Sequence, residues 1–459
     1  MKKNIAICLL FFAGFWIVFL SMQNKTVYFN TLGKISKNYF FMDDGNRGKE
    51  KKTFEKITDE NMLNWDGEHF FAIKEKGYSA DHEYRFAFFP LFSFIWKFST
   101  LPPSKVIFLN FFMFTLGLLL LAYLFKQKWQ NILLVLSLPM CAVFLIPYSE
   151  ATLFLMFSIA IWGFMKDKYW IYFIGMALAS LSRNILPLII PAILCAELLF
   201  FVKERKIKQS LLRLCMGILP VIIGTALVSL IQYHYGSDSI FKFLEALKHW
   251  NRSFSFPNIM HLNDWSQESF GINIPALIIL GIPLIIYLMN IALKQFGILK
   301  KIIHSSPYSA ENKYNYMNLV LMFCCLAIFC SVFFFQKGCL NGLSRYILCS
   351  PYFVILMFLN HEKILSVSPI KRGSYFVSLI ILSVVLFASL SYTSSLSFHY
   401  LGFLIFVGVM ALYLFQDMFK KSVYNLLLAG IFLLNILWTS YLFNMFLCNG
   451  WLYTFLFAF

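Results

Sequence analysis

The amino-acid sequence predicts an all-α, polytopic membrane protein. Of the 459 residues, 59% are hydrophobic and only 13% are charged, about half the charged share of a soluble globular chain. Apolar segments long enough to cross a bilayer recur along the chain, and short clusters of Lys and Arg fall at their ends, as in cytoplasmic loops. These observations exclude a soluble multidomain architecture.

About thirteen segments have the length and apolarity of transmembrane helices. We place them at roughly 4–21, 105–125, 130–146, 150–165, 169–183, 185–202, 211–233, 272–293, 317–335, 346–360, 374–390, 399–415 and 423–441. We expect the first segment to be an uncleaved span with a cytoplasmic N-terminus, because no small-x-small cleavage site follows it. The basic clusters then fall on the cytoplasmic side.

This topology divides the chain into five parts. They are the first transmembrane helix (1–21), an extracytoplasmic first loop (22–104), transmembrane helices 2–7 (105–233), a second extracytoplasmic loop (234–271) and the C-terminal transmembrane helices (272–459). The first loop holds eleven of the 22 acidic residues. We therefore expect any chemistry to take place in the first loop.

Charge and cysteine content exclude several classes of function. The net charge of +17 is dispersed between the apolar segments, and no basic stripe with interleaved aromatic residues predicts a nucleic-acid partner. The ten cysteines lie mostly inside apolar segments, without the spacing of a metal site or a disulfide framework. The sequence predicts neither a metal nor a cofactor.

The first loop contains a short helix signal that begins near Asp66. Lys74 and Lys76 complement the negative end of a helix dipole, and Gly77 suits the left-handed residue that follows a helix. Gly67 makes the beginning less clear, because glycine inside a helix costs about 1 kcal/mol relative to alanine. We place Asp66 at or beside the N-cap, where its carboxylate is available as a base.

Two interpretations of this helix remain open. His69 lies three residues after Asp66, on the same side of the helix, whereas Glu68 points elsewhere. Asp66 and His69 therefore form either part of a site, or only a helix cap and a polar interfacial residue. The aromatic segment 84–92 that follows needs no explanation beyond an aromatic belt.

Three ionisable residues lie at the outer ends of spans, on the side predicted for Asp66. They are Glu150, Arg183 and Arg345. Such groups are costly in a membrane unless they are paired or face water, and arginine suits phosphate oxygens. Alternatively, Glu150 pairs with Arg183 only to fix two helices, and Arg345 is an interfacial anchor. Glu197 is expected to extend toward the cytoplasmic interface.

These residues form motifs that resemble the PIG-V family of GPI mannosyltransferase II and its bacterial relatives. The matching motifs are Trp65-Asp66-x-x-His69-Phe70, Gly77-Tyr78, Phe86-Ala87-Phe88-Phe89-Pro90, Pro147-Tyr148-Ser149-Glu150, Ser182-Arg183-Asn184 and, later, Arg345-Tyr346 followed by Pro351. The core motifs cover roughly a third of the chain. Elsewhere the agreement is in hydropathy alone.

The resemblance implies a GT-C-type, inverting glycosyltransferase that is independent of metals. Asp66 would be the catalytic base, and Arg183 and Arg345 would hold the phosphate of a polyprenyl-phosphate sugar donor. The sugar on this donor is expected to be mannose. The implied substrate-binding set is Glu68, His69, Tyr78, Glu150, Arg183, Asn184, Arg345 and Tyr346. Many GT-C enzymes have two adjacent acids in the first loop, whereas here Gly67 separates Asp66 from Glu68.

The remaining expectations concern the cellular setting. The acceptor would be a glycolipid or a glycan. The protein would lie in a bacterial inner membrane, in contact with membrane lipids, and its active site would face the extracytoplasmic side. The sugar, the acceptor and a partner subunit stay open. The alternative functions are a transporter or flippase of a phosphate-bearing lipid or glycan, which also needs intramembrane arginines, and a non-catalytic membrane scaffold.

Overall fold

A computed structural model gives the architecture of the chain. It describes residues 2–21, 31–32, 54–139, 141–204, 207–250, 254, 310–335, 343–390 and 400–449. Within these ranges the chain forms α-helices and short 3-10 helices, and no β-strand. The predicted all-α class is confirmed for this part of the protein.

We number the α-helices of the described residues from α1 to α16. Their bounds are α1 Lys2–Ser21, α2 Asp66–Lys76, α3 Pro90–Ser99, α4 Val106–Leu124, α5 Trp129–Leu136, α6 Glu150–Met165, α7 Tyr169–Ser180, α8 Ile189–Glu204, α9 Ile207–His234, α10 Lys242–Ala246, α11 Ala310–Phe335, α12 Leu343–Leu348, α13 Pro351–Leu365, α14 Pro369–Leu390, α15 Tyr400–Leu414 and α16 Lys421–Leu447.

Five helical segments are long and apolar enough to cross a membrane. They are Lys2–Ser21, Pro103–Leu124, Ile207–His234, Lys313–Val332 and Lys421–Leu447. Four shorter apolar helices, between 10 and 17 residues long, accompany them. These helices are typical of an integral membrane protein. The count of thirteen spans stays a prediction, and the segment 272–293 lies outside the described residues.

Two predicted spans are not single continuous helices. The segment 130–146 consists of α5, which ends at Leu136, and a separate 3-10 turn at Cys141–Phe144. Pro139, between them, has no N–H to donate to a continuing helix. The segment 346–360 is interrupted in the same way, because Ser350 is extended (φ −91°, ψ 154°) before Pro351, the first residue of α13. Prolines thus explain both interruptions.

Small residues allow the central helices to pack closely. A side chain at Gly175 of α7 would place its Cβ 2.7 Å from the backbone nitrogen of Ala160 in α6. Such contacts are typical of membrane helices, where van der Waals packing supplies much of the association energy. Helix α7 also packs on α9, and α6 packs on α4. The beginning of α6 and the end of α7 are thereby fixed relative to each other.

The first loop is anchored to the helices around it. Helix α2 packs on α3, and the side-chain amide of Asn64 donates to the carbonyl of Phe446 in α16 at 2.7 Å. The 3-10 helix Ala80–Ala87 packs against α10, which lies in the predicted second loop. Residues 251–253 and 255–271 of that loop lie outside the described residues. The described parts of the two loops are therefore in contact with each other.

Candidate functional site

The chain adopts a strained conformation immediately before Asp66. Trp65 is the N-cap of α2 and has φ 55° and ψ −130°, a conformation that bulky residues rarely adopt and that costs about 1–3 kcal/mol. Asp66 is the first residue of α2, so its predicted position beside the N-cap is confirmed. Gly77 ends the helix with φ 74°, after Lys74 and Lys76 in the last turn, also as predicted.

Gly67 is explained by its neighbours rather than by helix propensity. A Cβ atom at this position would lie 2.9 Å from the carbonyl oxygen of Met62 and 2.9 Å from Cγ of Pro147. Only glycine allows this approach without a shift of the surrounding atoms. The contact brings the start of α2 next to the turn that precedes Glu150.

Four charged side chains from distant parts of the sequence form one continuous chain of ion pairs. Arg345 Nη2 donates to Asp66 Oδ2 at 2.7 Å, and Arg345 Nε donates to Glu150 Oε1. Arg183 Nη1 forms an ion pair with the same oxygen of Glu150. The order is therefore Asp66–Arg345–Glu150–Arg183, with two positive and two negative charges. The sequence predicted all four, and the fold brings all four together.

Burial makes these contacts energetically important. The side chains of Glu150 and Arg345 are 3% and 4% exposed, that of Arg183 is 10% exposed, and that of Asp66 is 18% exposed. Buried charges must be paired, because the loss of water around them costs several kcal/mol per ion. Asp66 is thus the most accessible member, and Glu150 is the buried centre on which both arginines converge.

Aromatic rings hold the two arginines in place, and one of these rings belongs to the turn before α6. The guanidinium carbon of Arg345 lies 4.4 Å from the centre of the Tyr148 ring, and that of Arg183 lies 5.7 Å from the centre of the Tyr346 ring. Cation–π contacts of this kind contribute about 0.5–2 kcal/mol. The side-chain amide of Asn110 donates to the Tyr148 carbonyl at 3.3 Å, which fixes the turn carrying Tyr148.

Side chains also hold three consecutive carbonyls of the aromatic motif that precedes α3. Gln232 Nε2 donates to the Phe86 carbonyl at 2.7 Å and Asn184 Nδ2 to the Ala87 carbonyl at 3.5 Å. The Tyr78 hydroxyl donates to the Phe88 carbonyl at 2.6 Å. This segment is therefore fixed as one wall of the site. An aromatic belt alone does not account for that arrangement.

A partly open cavity of about 80 Å³ contains the accessible part of the ion-pair chain. Its lining residues come from both loops and from the outer ends of several helices; they are Asp66, Phe70, Ala87, Phe88, Phe89, Ser149, Ser182, Arg183, Asn184, Leu247, Arg345 and Tyr346. The cavity therefore combines an accessible carboxylate with two guanidinium groups.

Four residues of the predicted substrate-binding set do not line the cavity: Glu150, which is buried behind the two arginines, and Glu68, His69 and Tyr78. Glu68 is largely exposed and lies 3.7 Å from Arg85. Tyr78 is buried and stacks on Phe86, with ring centres 5.2 Å apart. His69 packs on Phe88 with ring centres 4.6 Å apart. Tyr78 and His69 thus support the wall of the site, and a direct contact with substrate stays a prediction.

The environment of His69 favours the neutral imidazole. Burial lowers the pKa of His69 below its ordinary value of 6.5, and this effect outweighs the nearby negative charges of Asp66 and Glu68, which raise it. Arg85 lowers the pKa further. His69 is therefore a neutral packing partner of the aromatic wall at neutral pH.

Some cavity residues were not among the predicted site residues. Phe88, Ser149 and Ser182 line the cavity and belong to the motifs that carry the family resemblance, so their position in sequence was an available signal. Leu247 reaches the cavity from the second loop, and no sequence pattern identified it. Its neighbour His249 stacks on Tyr84 with ring centres 5.3 Å apart.

Within the described ranges, no group of three or more His, Cys, Asp or Glu side chains is arranged to hold a metal ion. Arg345 carries the positive charge nearest to the Asp66 carboxylate among the described ion pairs, at 2.7 Å. Comparison of the chain with protein-family models, with curated proteins and with solved structures gave no match.

Proposed function

We propose that this chain is an inverting, GT-C-type membrane glycosyltransferase. It would transfer a sugar, which we expect to be mannose, from a polyprenyl-phosphate donor to a glycolipid or glycan acceptor. The observation that carries the proposal is the shared cavity in which the Asp66 carboxylate lies beside Arg345 and Arg183. A base and two phosphate-binding cations are the groups that this reaction needs.

The arginines account for the donor end of the reaction. Cleavage of the sugar–phosphate bond converts a phosphodiester with one negative charge into a phosphomonoester that approaches two. One guanidinium group can donate two parallel hydrogen bonds to two oxygens of a phosphate. In a semi-buried cavity, guanidinium groups stabilise the developing negative charge more strongly than water does. Arg345 and Arg183, both at the cavity and both held by Glu150, are suited to this role.

Asp66 accounts for the acceptor end. Its carboxylate would take the proton of an acceptor hydroxyl while that oxygen attacks the anomeric carbon from the face opposite the phosphate, which inverts the configuration. The lipid phosphate leaves with the bonding electron pair and needs no proton. The Asp66 carboxylate accepts a hydrogen bond from Arg345 at 2.7 Å. A donor phosphate on Arg345 would compete for that contact and release the carboxylate for the acceptor.

The proposal extends to the topology and the family. The thirteen-span arrangement would place this cavity on the extracytoplasmic side, because the basic clusters lie at the opposite helix ends. In a bacterial inner membrane, the proposed polyprenyl-phosphate donor would then have to be presented on that side. The motif resemblance to the PIG-V family supports the same substrate class, and membership of that family is part of the proposal.

The experiment is a donor screen with the purified full chain. Radiolabelled polyprenyl-phosphate mannose, polyprenyl-phosphate glucose and GDP-mannose are each incubated with the protein and a crude lipid and glycan extract. We expect label transfer from a polyprenyl-phosphate sugar only, and a KM for that donor at least tenfold higher in Arg183→Lys, which keeps the charge but loses the forked geometry.

Two results would contradict the proposal. One is transfer from the nucleotide sugar alone. The other is the absence of transfer from every donor, together with movement of a labelled polyprenyl-phosphate lipid across the bilayer of a reconstituted vesicle. The second result would favour a flippase.

A further inference from the structure

A second, larger cavity lies between the central helices. It has a volume of about 420 Å³ and lies between α6, α7, α8, α9 and α11, and it shares no lining residue with the first cavity. Tyr169 and Leu212 line it and are 48% and 63% exposed. The cavity therefore opens at the lateral surface of the helices, where a lipid can enter from the bilayer.

The lining of this cavity changes from polar to apolar along several helices. On α11 it runs from Lys313 through Met317 to Leu321, and on α9 it runs from Arg213 to Met216. Because the polar residues come first on both helices, one end of the cavity is cationic and the rest is hydrocarbon-like. This polarity matches an amphiphile with an anionic head and an apolar tail.

Helix α7 shows the same change of polarity. Its lining residues run from Tyr169 through Tyr172 to Met176. The lining residues of α6, by contrast, are apolar throughout: Phe157, Ile161 and Phe164. Helices α7, α9 and α11 thus agree on which end of the cavity is polar.

Ion pairs position the two cations at the polar end. Arg213 donates from Nε and Nη2 to the Glu197 carboxylate at 3.0 and 2.7 Å, and Glu197 is 1% exposed. The sequence predicted that Glu197 extends to the cytoplasmic interface, and this prediction was wrong. Glu197 is instead buried and holds Arg213 at the cavity. Lys313 pairs with Asp167, which also accepts from the Tyr169 hydroxyl at 2.9 Å.

The surroundings of the polar end carry additional positive charge. Lys166 and Lys168 flank Asp167, Lys208 precedes Gln209 of the lining, and all three lie at helix ends that the charge pattern assigns to the cytoplasm. The cytoplasmic leaflet contains the anionic lipids of most membranes, and basic pockets between transmembrane helices on this side bind their head groups.

We propose that this cavity binds one anionic phospholipid of the cytoplasmic leaflet. Its acyl chain lies along the apolar lining, and its head group lies at Lys313 and Arg213. The occupant is distinct from the proposed donor, because Glu150 and Phe164 are fourteen residues apart on α6, about 21 Å at 1.5 Å per residue. The head group is thus far from the ion-pair chain at the other end of the helix, and this inference does not depend on glycosyl transfer.

The test is a lipid titration of the purified full chain, followed by native mass spectrometry. The probes are dioleoyl phosphatidylglycerol, dioleoyl phosphatidylcholine and undecaprenyl phosphate. We expect one phosphatidylglycerol molecule to bind at least fivefold more tightly than phosphatidylcholine. Lys313→Gln should weaken phosphatidylglycerol binding about fivefold, the usual effect of one lysine on an anionic membrane lipid.

Two further variants separate a specific site from general charge. Lys371→Gln removes an exposed lysine of another helix end and should leave the phosphatidylglycerol affinity unchanged. Met216→Trp fills the apolar part of the cavity and should abolish tight binding of the lipid. Thermal unfolding of each variant confirms that it is folded, and Lys313→Gln, at a partly exposed ion pair, keeps the test valid if Met216→Trp fails to fold.

Three results would overturn the proposal. The first is equal affinity for phosphatidylglycerol and phosphatidylcholine. The second is an equal effect of Lys313→Gln and Lys371→Gln. The third is tighter binding of undecaprenyl phosphate than of phosphatidylglycerol, with loss of that binding in Met216→Trp, which would assign the cavity to a carrier lipid instead.

Discussion

Replacement of Glu150 by glutamine tests whether the ion-pair chain supports the fold. The side chain is 3% exposed and contacts both Arg183 and Arg345, so Glu150→Gln leaves two buried guanidinium groups without their shared carboxylate. Removal of one partner from a buried ion pair costs about 3–5 kcal/mol. At roughly 2 °C per kcal/mol for a large domain, the unfolding temperature should fall by about 6–10 °C.

The effect should depend mainly on Arg183. Arg345 retains Asp66 at 2.7 Å in this variant, whereas Arg183 loses the only carboxylate with which it forms an ion pair among the described residues. Combining Glu150→Gln with Arg183→Gln removes that stranded charge. The double variant should therefore be more stable than the sum of the two single changes predicts, by about 1–3 kcal/mol.

The assay is thermal unfolding of the purified protein in detergent, monitored by intrinsic fluorescence. Glu362→Gln is the matched control, since Glu362 is an exposed acid on α13, and surface changes of this kind stay within about 0.5 kcal/mol. If Glu150→Gln unfolds at the wild-type temperature, or if the double variant shows no coupling, the assignment of Glu150 as the centre of the network is refuted.

Three other changes test the aromatic wall of the site and the start of α2. Burial lowers the pKa of His69 in the folded protein below 6.5. The stability that the neutral His69 contributes is therefore complete above pH 6.5 and is lost as the pH falls through the folded-state pKa. Unfolding temperatures measured from pH 7.5 to 5 should show this loss of stability, and His69→Gln should make the loss smaller. Tyr78→Phe leaves the Phe88 carbonyl without its 2.6 Å donor and should cost about 1–3 kcal/mol by thermal unfolding. Gly67→Ala should destabilise by about 1–3 kcal/mol, because its Cβ meets the Met62 carbonyl at 2.9 Å, although helix propensity alone predicts a gain of about 1 kcal/mol.

Each of these three predictions can be contradicted by a specific result. An identical decline of stability with pH in wild type and His69→Gln would remove His69 as the titrating group. Full stability of Tyr78→Phe would mean that its hydroxyl does not support the wall. A more stable Gly67→Ala would show that helix propensity outweighs the close approach at this position.

Hydropathy and charge were sufficient to predict the helical class, because both depend on residues close together in sequence. They did not predict the interruptions near Pro139 and Pro351, where apolar composition continues although the hydrogen-bonding pattern of a helix cannot. Gly67 illustrates the same limit. Its role depends on Pro147, eighty residues away, and no local propensity contains that information.

The members of the candidate site were predictable, but their pairing was not. Asp66, Glu150, Arg183 and Arg345 stood out because ionisable residues near a membrane need a reason to be there. The sequence pattern left open a pair between Glu150 and Arg183. The fold adds Arg345 to the same carboxylate and links Arg345 to Asp66. A contact that spans 279 residues follows from helix packing, which the sequence pattern alone does not specify.

The most direct test of the central claim is the turnover of Asp66→Asn with a saturating polyprenyl-phosphate sugar, measured beside Glu75→Gln. Glu75 is an exposed acid on the same helix, outside the cavity lining. We expect Asp66→Asn to lose kcat by about 10²–10⁴-fold, as for a missing general base. This variant should stay folded with a lower unfolding temperature, because it loses the charge paired with Arg345, and Glu75→Gln should keep turnover and unfolding temperature close to wild type. Unchanged turnover in a folded Asp66→Asn protein would contradict the account.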